Sequence, residues 1–169
     1  MPQVAASVMM KGKPLALIGT IPQVGQAAPD FTLVANDLSE AKLGNYKGKK
    51  LIISVVPSLD TPICDLQTKR FNKEAEKLND VVILTVSRDL PFAQKRWCGA
   101  TNSTKVVTLS DFKSGAFGRA YGVLVQGLEI LARAVFIVDA KGKISYVQLV
   151  PEVTTEPNYE EVLQAVKKA

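Results

Sequence analysis

Histidine is absent from the 169-residue chain, and this absence restricts the chemistry that its side chains can support. A Cys-His or Ser-His-Asp nucleophile needs an imidazole base, and the common catalytic zinc sites need imidazole ligands or more thiolates than the two cysteines of this chain supply. We therefore expect neither a metal nor a cofactor. Any reactive cysteine must have its thiolate stabilised by a helix terminus, by hydrogen bonds or by cations.

Long apolar segments are also missing from the chain. No run approaches the roughly 20 apolar residues that a membrane helix needs. Residues 11–14 (KGKP) interrupt the N-terminal segment before a signal-peptide core of about 7 to 15 apolar residues can form. With so few cysteines, disulfide bonds are not the scaffold of a chain of this size. These features predict a soluble, cytoplasmic protein with no membrane partner.

The composition indicates one globular unit with a basic surface. Hydrophobic residues make up 47% of the chain, enough to bury one sizeable core, and we expect a single domain over residues 1–169. Lys and Arg exceed Asp and Glu by 21 to 16, a net charge of +5 that could suit an anionic partner. The basic residues are scattered or lie in turns, so a solvated surface explains them better than a nucleic-acid site.

Hydrophobic periodicity divides the chain into strands and helices. The predicted strands are residues 3–10, 15–18, 31–34, 51–56, 81–86, 106–109, 134–138 and 144–150, and the predicted helices are residues 62–78, 92–97, 111–121 and 159–168. The first two strands predict an N-terminal β-hairpin, an extension over residues 1–19. The fourth and fifth strands with the helix between them predict a parallel βαβ unit. The layout resembles the thioredoxin-like α/β fold, a central mixed β-sheet flanked by helices.

Cys64 falls in the first turn of the helix that follows a buried strand. Pro57 ends that strand, and Thr61 followed by Pro62 supplies an N-cap hydroxyl and a proline at the first helical position. Free amide groups and the positive end of the helix dipole favour the thiolate there, which is the reactive form of cysteine. Taken alone, Cys64 is explained equally well as a small buried hydrophobic residue.

The segment SVVPSLDTPICDLQTKRFN has a proline, a threonine and a cysteine in the spacing of the peroxiredoxin motif, at Pro57, Thr61 and Cys64. Four further segments match: GQAAPDF, DLPFAQKRWCGA, LARAVFIVD and TTEPNY. Over nearly its whole length, N-terminal hairpin included, the chain resembles the bacterial thiol peroxidase branch of the peroxiredoxins. The resemblance implies that it is an atypical two-cysteine enzyme, like the members of that branch. The resemblance implies a thioredoxin-like peroxiredoxin fold.

The resemblance also implies a role for each residue of the site. The Cys64 thiolate would attack one peroxide oxygen and become a sulfenic acid, while the second oxygen leaves as water or an alcohol. The Thr61 hydroxyl, nearby backbone amides and the Arg133 guanidinium would hold the peroxide and stabilise the leaving oxygen, with Pro57 as a further member of the site. Without the resemblance, Arg133 is better explained as a solvated charge. This scheme expects a Cys64 sulfur that is ionised and open to solvent.

Cys98 is the resolving cysteine that the resemblance implies. It would condense with the sulfenic acid to give an intramolecular disulfide with Cys64, which thioredoxin would reduce. The implied substrates are hydrogen peroxide and organic hydroperoxides, and the implied assembly is a homodimer. Residue patterns alone leave open that Cys98 packs in the core. Bonded cysteines have α-carbons within roughly 7 Å, and if the two start further apart the chain must unwind. We therefore predict that the first turn of the Cys64 helix and the segment around Cys98 rearrange between the reduced and oxidised forms.

Two other functions stay open at the level of sequence. A dithiol-disulfide oxidoreductase would share the fold, but such enzymes normally need a Cys-x-x-Cys pair, and residues 65–67 (DLQ) follow Cys64 with no nearby cysteine. Insulin reduction without peroxide consumption would favour that function. A non-enzymatic binding module is the other alternative, and binding that disappears at modest salt would be its signature.

Overall fold

The fold is that of a computed structural model, which describes residues 6–102 and 105–169. Its strands are β1 (Ser7–Met10), β2 (Lys13–Ile18), β3 (Thr32–Ala35), β4 (Glu40–Lys42), β5 (Lys50–Val55), β6 (Val81–Ser87), β7 (Val107–Ser110), β8 (Leu124–Val125), β9 (Ala134–Val138) and β10 (Ile144–Leu149). Its helices are α1 (Pro62–Ala75), α2 (Pro91–Thr101), α3 (Ala116–Ala120) and α4 (Tyr159–Lys168), with a 3-10 turn at Leu43–Tyr46. Apart from β4, β8 and the 3-10 turn, the strands and helices follow one another in the predicted order.

Seven strands form the main sheet, in the order β10-β9-β5-β6-β7-β3-β4. β5 is parallel to β6 and β6 is parallel to β7, whereas β9 pairs antiparallel with both β5 and β10. The predicted mixed sheet and the predicted βαβ unit are therefore confirmed. β5 is buried along nearly its whole length, which explains why its sequence shows little polar alternation.

Alternate residues of β5 face opposite sides of the main sheet. Leu51 and Ile53 pack in a large core that includes side chains of the N-terminal hairpin and of α3. Ile52 packs in a smaller core on the other side, with Phe71 of α1 and Val162 of α4. The sheet is thus covered on both faces, as the sequence predicts.

β1 and β2 form the predicted N-terminal hairpin, and β2 pairs in turn with β8 in a separate three-stranded sheet. Two backbone hydrogen bonds, besides one from Lys11 N to Glu152 Oε1, tie this hairpin to the chain after β10. Met9 N donates to Pro151 O at 2.7 Å, and Val153 N donates to Met9 O at 2.8 Å. Residues 3–5 of the predicted first strand lie outside the described part of the chain. The hairpin therefore supports the segment that follows β10.

Some helix boundaries differ from the predicted ones. α2 runs from Pro91 to Thr101 instead of over residues 92–97, and Asn102 ends it with a φ of 53°. α3 begins at Ala116 instead of residue 111, because Gly115 adopts the left-handed conformation with a φ of 68°. The short strands β4 and β8 were not predicted, since pairings of two or three residues show no periodicity. Among the described helices, none has the length and apolar character needed to cross a membrane.

Candidate active site

The candidate site lies where β5 ends. Val55, the last residue of β5, pairs with Val86 of the parallel neighbour β6 and with Ala134 at the start of the antiparallel neighbour β9. The loops after β5 and β6 and the residue before β9 therefore meet at one edge of the sheet. This register places Pro57 near Arg133, although the two are far apart in the sequence.

Cys64 lies in the first turn of α1 and is fully buried. Pro62 occupies the first helical position, and Thr61 occupies the N-cap position. The first intrahelical hydrogen bond runs from Asp65 N to Thr61 O at 3.0 Å, so the amides of Ile63 and Cys64 lie at the open end of the helix. The positive dipole at this end favours negative charge on the Cys64 sulfur.

Thr61 does not cap α1 through its hydroxyl, and that prediction is wrong. Its Oγ1 donates to Ser58 O at 2.9 Å, and its backbone N donates to the same carbonyl at 3.2 Å. The loop after Pro57 is therefore folded back on itself. A hydroxyl that donates in this way keeps lone pairs that can accept a hydrogen bond from a ligand.

Arg133 is a buried side chain that contacts the cysteine directly. It is 2% exposed, and its Nη2 donates to Cys64 Sγ at 3.3 Å. Nη1 donates to Gln67 Oε1 at 2.8 Å, and Nε donates to Val153 O at 2.9 Å. Within residues 6–102 and 105–169, Arg133 forms no salt bridge with a carboxylate. Arg133 is therefore not a solvated charge, and the Cys64 sulfur is the contact that can supply a counter-charge.

Gln67 belongs to this arrangement, and the sequence reasoning missed it. Its Oε1 accepts from Arg133, and its Nε2 donates to Ser54 Oγ of β5 at 2.7 Å. Gln67 is three residues after Cys64 and so lies on the same side of α1. The sequence signal that could have identified Gln67 was its position three residues after the candidate nucleophile Cys64.

An apolar cavity of about 390 Å³ opens beside the site. Its walls are formed by the hairpin, the loop after β5, the start of α1 and the segments on either side of the β9–β10 pair: Met10, Lys11, Pro57, Ser58, Thr61, Pro62, Ile63, Ile130, Arg133, Val153 and Thr154. Cys64 is not exposed to this cavity, and the expectation of a sulfur open to solvent is wrong for this structure. Thr61 and Arg133 are among the polar residues that line the cavity, and Arg133 also contacts the Cys64 sulfur.

Cys98 lies in α2 and is partly buried. It packs against a small apolar cluster formed by Val56, Leu59, Cys64 and Trp97, and its sulfur lies 3.5 Å from Thr108 Oγ1 of β7. Cys64 and Cys98 are not joined in a disulfide. The structure thus brings the two predicted cysteines to one cluster and gives each sulfur a different polar partner.

Asp89 holds the loop that carries Thr61. Its carboxylate accepts hydrogen bonds from Ser58 Oγ at 2.7 Å, Leu59 N at 2.8 Å and Ser87 Oγ at 2.7 Å. The Ser58 carbonyl in turn accepts a hydrogen bond from the Thr61 hydroxyl. Asp89 therefore positions Thr61 through the loop without touching the cysteine.

We expect Asp89→Ala to slow peroxide-dependent oxidation of Cys64 by roughly 10-fold, because Thr61 loses its orientation. The substitution leaves three donors without their acceptor, so the free energy of unfolding should also fall by about 2 kcal/mol. Stopped-flow rates and urea unfolding measure the two effects.

The matched control for Asp89 is Asp139→Ala, because Asp139 accepts two backbone amides in the distant β9–β10 turn. The control should lose stability and keep the oxidation rate. A folded Asp89→Ala protein that oxidises at the wild-type rate would show that the loop needs no such support.

The described residues hold no group of three or more Cys, Asp or Glu side chains placed to bind a metal ion. The groups that lie at the candidate site are the Cys64 sulfur, the Arg133 guanidinium and the Thr61 hydroxyl.

Known proteins resemble this chain over most of its length. A family model described as Redoxin matches residues 23–163. A thiol peroxidase of Bacillus subtilis is 52% identical over 162 residues, which cover 96% of this chain and 97% of the relative. A thiol peroxidase of Oceanobacillus iheyensis is 52% identical over 163 residues, covering 96% of this chain and 99% of the relative.

Solved structures show the same likeness. A peroxiredoxin-like protein from Aquifex aeolicus superposes with a TM-score of 0.91 at 47% identity, covering 97% of each chain. A thiol peroxidase from Chromobacterium violaceum gives a TM-score of 0.86 at 19% identity, covering 96% of each chain, which is a likeness of fold alone.

Proposed function

The chain belongs to the Redoxin family, and from this premise we propose that Cys64 is its peroxide-reducing thiolate, Cys98 its resolving cysteine and thioredoxin its reductant. The relatives confirm two predictions made from sequence: the resemblance to bacterial thiol peroxidases and the thioredoxin-like peroxiredoxin fold. The chain is a thiol-dependent peroxidase.

One observation carries the assignment to Cys64. A buried guanidinium without a carboxylate partner is costly, and a neighbouring thiolate removes that cost. Arg133 contacts the Cys64 sulfur at 3.3 Å, and its other two hydrogen bonds go to neutral oxygens. The site therefore favours negative charge at one sulfur, which is the requirement for attack on a peroxide.

The reaction takes place in three steps. The Cys64 thiolate attacks the terminal oxygen of the hydroperoxide, the O–O bond breaks, and the second oxygen takes a proton and leaves as water or an alcohol. Cys98 then displaces the hydroxyl of the sulfenic acid, so that a disulfide and water form. A dithiol of thioredoxin finally exchanges with the disulfide and is itself oxidised. Arg133 stabilises the oxygen that gathers charge in the first step, and the Thr61 hydroxyl, whose proton goes to Ser58 O, accepts a hydrogen bond from the O–H of the hydroperoxide.

The apolar cavity supports organic hydroperoxides as substrates in addition to hydrogen peroxide. The cavity is lined by the apolar side chains of Met10, Ile63, Ile130 and Val153. A bulky alkyl group that binds there is removed from contact with water, which is favourable. Its oxygen end would lie at Thr61 and Arg133.

We expect Ile130→Asn to lower kcat/KM for cumene hydroperoxide by roughly 10-fold, because the aryl group loses apolar contact. The kcat/KM for hydrogen peroxide should change little, because that substrate makes no apolar contact. The ratio of the two values, measured by coupled assay, is the readout. Val24→Asn is the matched control, since Val24 is 64% exposed and does not line the cavity. Equal losses for both substrates would contradict an apolar binding role.

A homodimer and a cytoplasmic location complete the proposal. Leu90 and Phe92 at the start of α2 are 51% and 64% exposed, and Leu90 lines a second cavity together with Pro57 and Ile130. Exposed apolar side chains grouped beside a site are typical of surfaces that bind another protein. A second copy that covers them would border the active site.

The deciding experiment is turnover of hydroperoxide coupled to thioredoxin, thioredoxin reductase and NADPH. We expect NADPH oxidation that depends on hydroperoxide and on thioredoxin. If hydroperoxide is consumed with a small thiol but not with thioredoxin, the peroxidase assignment is kept and the reductant is wrong.

A further inference from the structure

One side-chain hydrogen bond joins the segments that carry the two cysteines. Trp97 Nε1 donates to Asp65 Oδ1 at 2.8 Å. Asp65 directly follows Cys64 in α1, and Trp97 directly precedes Cys98 in α2. The bond is partly buried: Trp97 is 7% exposed and packs in the apolar cluster around Cys64, whereas the Asp65 side chain is 29% exposed. It therefore fixes the first turn of α1 against α2.

This hydrogen bond holds the two sulfurs in an arrangement that is not a disulfide. Successive residues of an α-helix point about 100° apart, so Trp97 and Cys98 reach the cluster around Cys64 from different directions. The Cys98 sulfur accordingly contacts Thr108 of β7, while the Cys64 sulfur contacts Arg133 beside β9. β5 and β6 lie between those two strands in the sheet. Formation of the disulfide has to turn at least one segment, which breaks the Trp97–Asp65 bond.

We propose that Trp97 and Asp65 are positioning residues that clamp the reduced arrangement and thereby limit the rate of disulfide formation. The proposal rests on the proposed function, in which the sulfenic acid of Cys64 condenses with the thiol of Cys98 and releases water. Arg133 contacts Cys64 directly while peroxide reacts, and the clamp adds only the hold between α1 and α2. The clamp then has to open before Cys98 can attack, so its strength sets how long the sulfenic acid survives and how readily a second peroxide oxidises it further.

The test separates the two chemical steps. Single-turnover samples are quenched with acid, free thiols are alkylated, and mass spectrometry measures sulfenic acid and disulfide over time. In Trp97→Phe, which keeps an aromatic ring and loses the donor, we expect disulfide formation to be roughly 10-fold faster, the gain expected when a hydrogen bond to a charged group is lost. Oxidation of Cys64 should stay within about two-fold of wild type. The hydroperoxide concentration that over-oxidises half of Cys64 should rise by roughly the same 10-fold factor.

Asp65→Ala is the second variant, and it should accelerate disulfide formation to a similar degree. Asp65 also forms a salt bridge with Lys69 at 2.8 Å. Lys69→Gln removes that salt bridge and leaves the Trp97–Asp65 hydrogen bond in place, so it is the matched control. It should form the disulfide at the wild-type rate. In the double variant Trp97→Phe/Asp65→Ala, the accelerations should not multiply, because both substitutions remove one interaction.

The wild-type protein offers a direct spectroscopic readout, because Trp97 is its one tryptophan. Its fluorescence should change in the phase in which the disulfide forms, and Cys98→Ser should lack that phase. Normal Cys64 oxidation with unchanged or slower disulfide formation in both Trp97→Phe and Asp65→Ala would overturn the clamp alone. Failure of wild-type Cys64 to form a sulfenic acid would overturn the proposed function, and the clamp with it.

Discussion

Cys64→Ser should consume no hydroperoxide above the rate of the uncatalysed reaction with thioredoxin. A serine hydroxyl is not ionised near neutral pH, and the chain has no histidine to act as its base. The neighbouring Arg133 can stabilise a sulfur anion but cannot take up a proton. Coupled NADPH oxidation measures the result, and we expect the largest loss of any single substitution.

Cys98→Ser is the matched control for Cys64→Ser, because it removes the other thiol and leaves the Arg133 contact intact. It should consume about one equivalent of hydroperoxide and then stall with Cys64 as a sulfenic acid. An added small thiol should restore turnover. Peptide mapping of oxidised wild type should show a disulfide between Cys64 and Cys98. Equal activity in wild type and both variants would refute the proposed function.

Arg133→Lys should slow oxidation of Cys64 by roughly 10²- to 10³-fold, although it keeps the positive charge. The guanidinium donates in three directions, to Cys64, to Gln67 and to the Val153 carbonyl. A lysine ammonium lacks the planar fork that makes these contacts together, and it is more strongly hydrated in a site that is almost fully buried. Stopped-flow oxidation in a single turnover measures the step directly.

Arg119→Gln serves as the matched control for Arg133→Lys, because Arg119 lies in α3 and donates to Ser114 O at an exposed position. It should retain the wild-type rate. Urea unfolding of both variants separates a lost fold from a lost contact. A folded Arg133→Lys protein with near wild-type oxidation would show that charge alone, without the three-way contact, suffices at this site.

The N-terminal hairpin contributes to the site indirectly. Met9 exchanges backbone hydrogen bonds with the segment that ends at Val153. The Val153 carbonyl in turn accepts a hydrogen bond from Arg133 Nε. The hairpin also supplies Met10 to the wall of the apolar cavity. The predicted extension is therefore part of the support for the guanidinium and not a separate appendage.

Local patterns in the sequence were sufficient for most of the secondary structure. The bounds of α4 and β9 were predicted to the residue, because each has a long periodic or continuous apolar pattern with clear ends. Cys64 was placed in the first turn of α1 because Thr61 and Pro62 mark that helix start, and this depends on neighbours in the chain alone. The hydroxyl of Thr61 was assigned to the wrong partner, since a carbonyl in the loop before the helix competes with the helix amides for it.

The contacts of Cys64 could not be read from the sequence in the same way. The position of Arg133 came from resemblance, because its own neighbours predict a solvated charge. It lies 69 residues from Cys64, and the contact exists because Val55 and Ala134 are paired in the sheet. The burial of the sulfur was missed for a related reason, since the cluster that covers it draws on the loop after β5 and on α2.

By itself the sequence determined the order of strands and helices, the exclusion of imidazole chemistry and the location of one cysteine at a helix start. These depend on residue type and on spacing within a few turns of chain. The tertiary structure decided which charge reaches that sulfur, which glutamine and carbonyl orient the charge, and which indole joins the two helices that carry the cysteines. Those pairs are brought together by strand register and helix packing over long sequence separations, and no local periodicity encodes them.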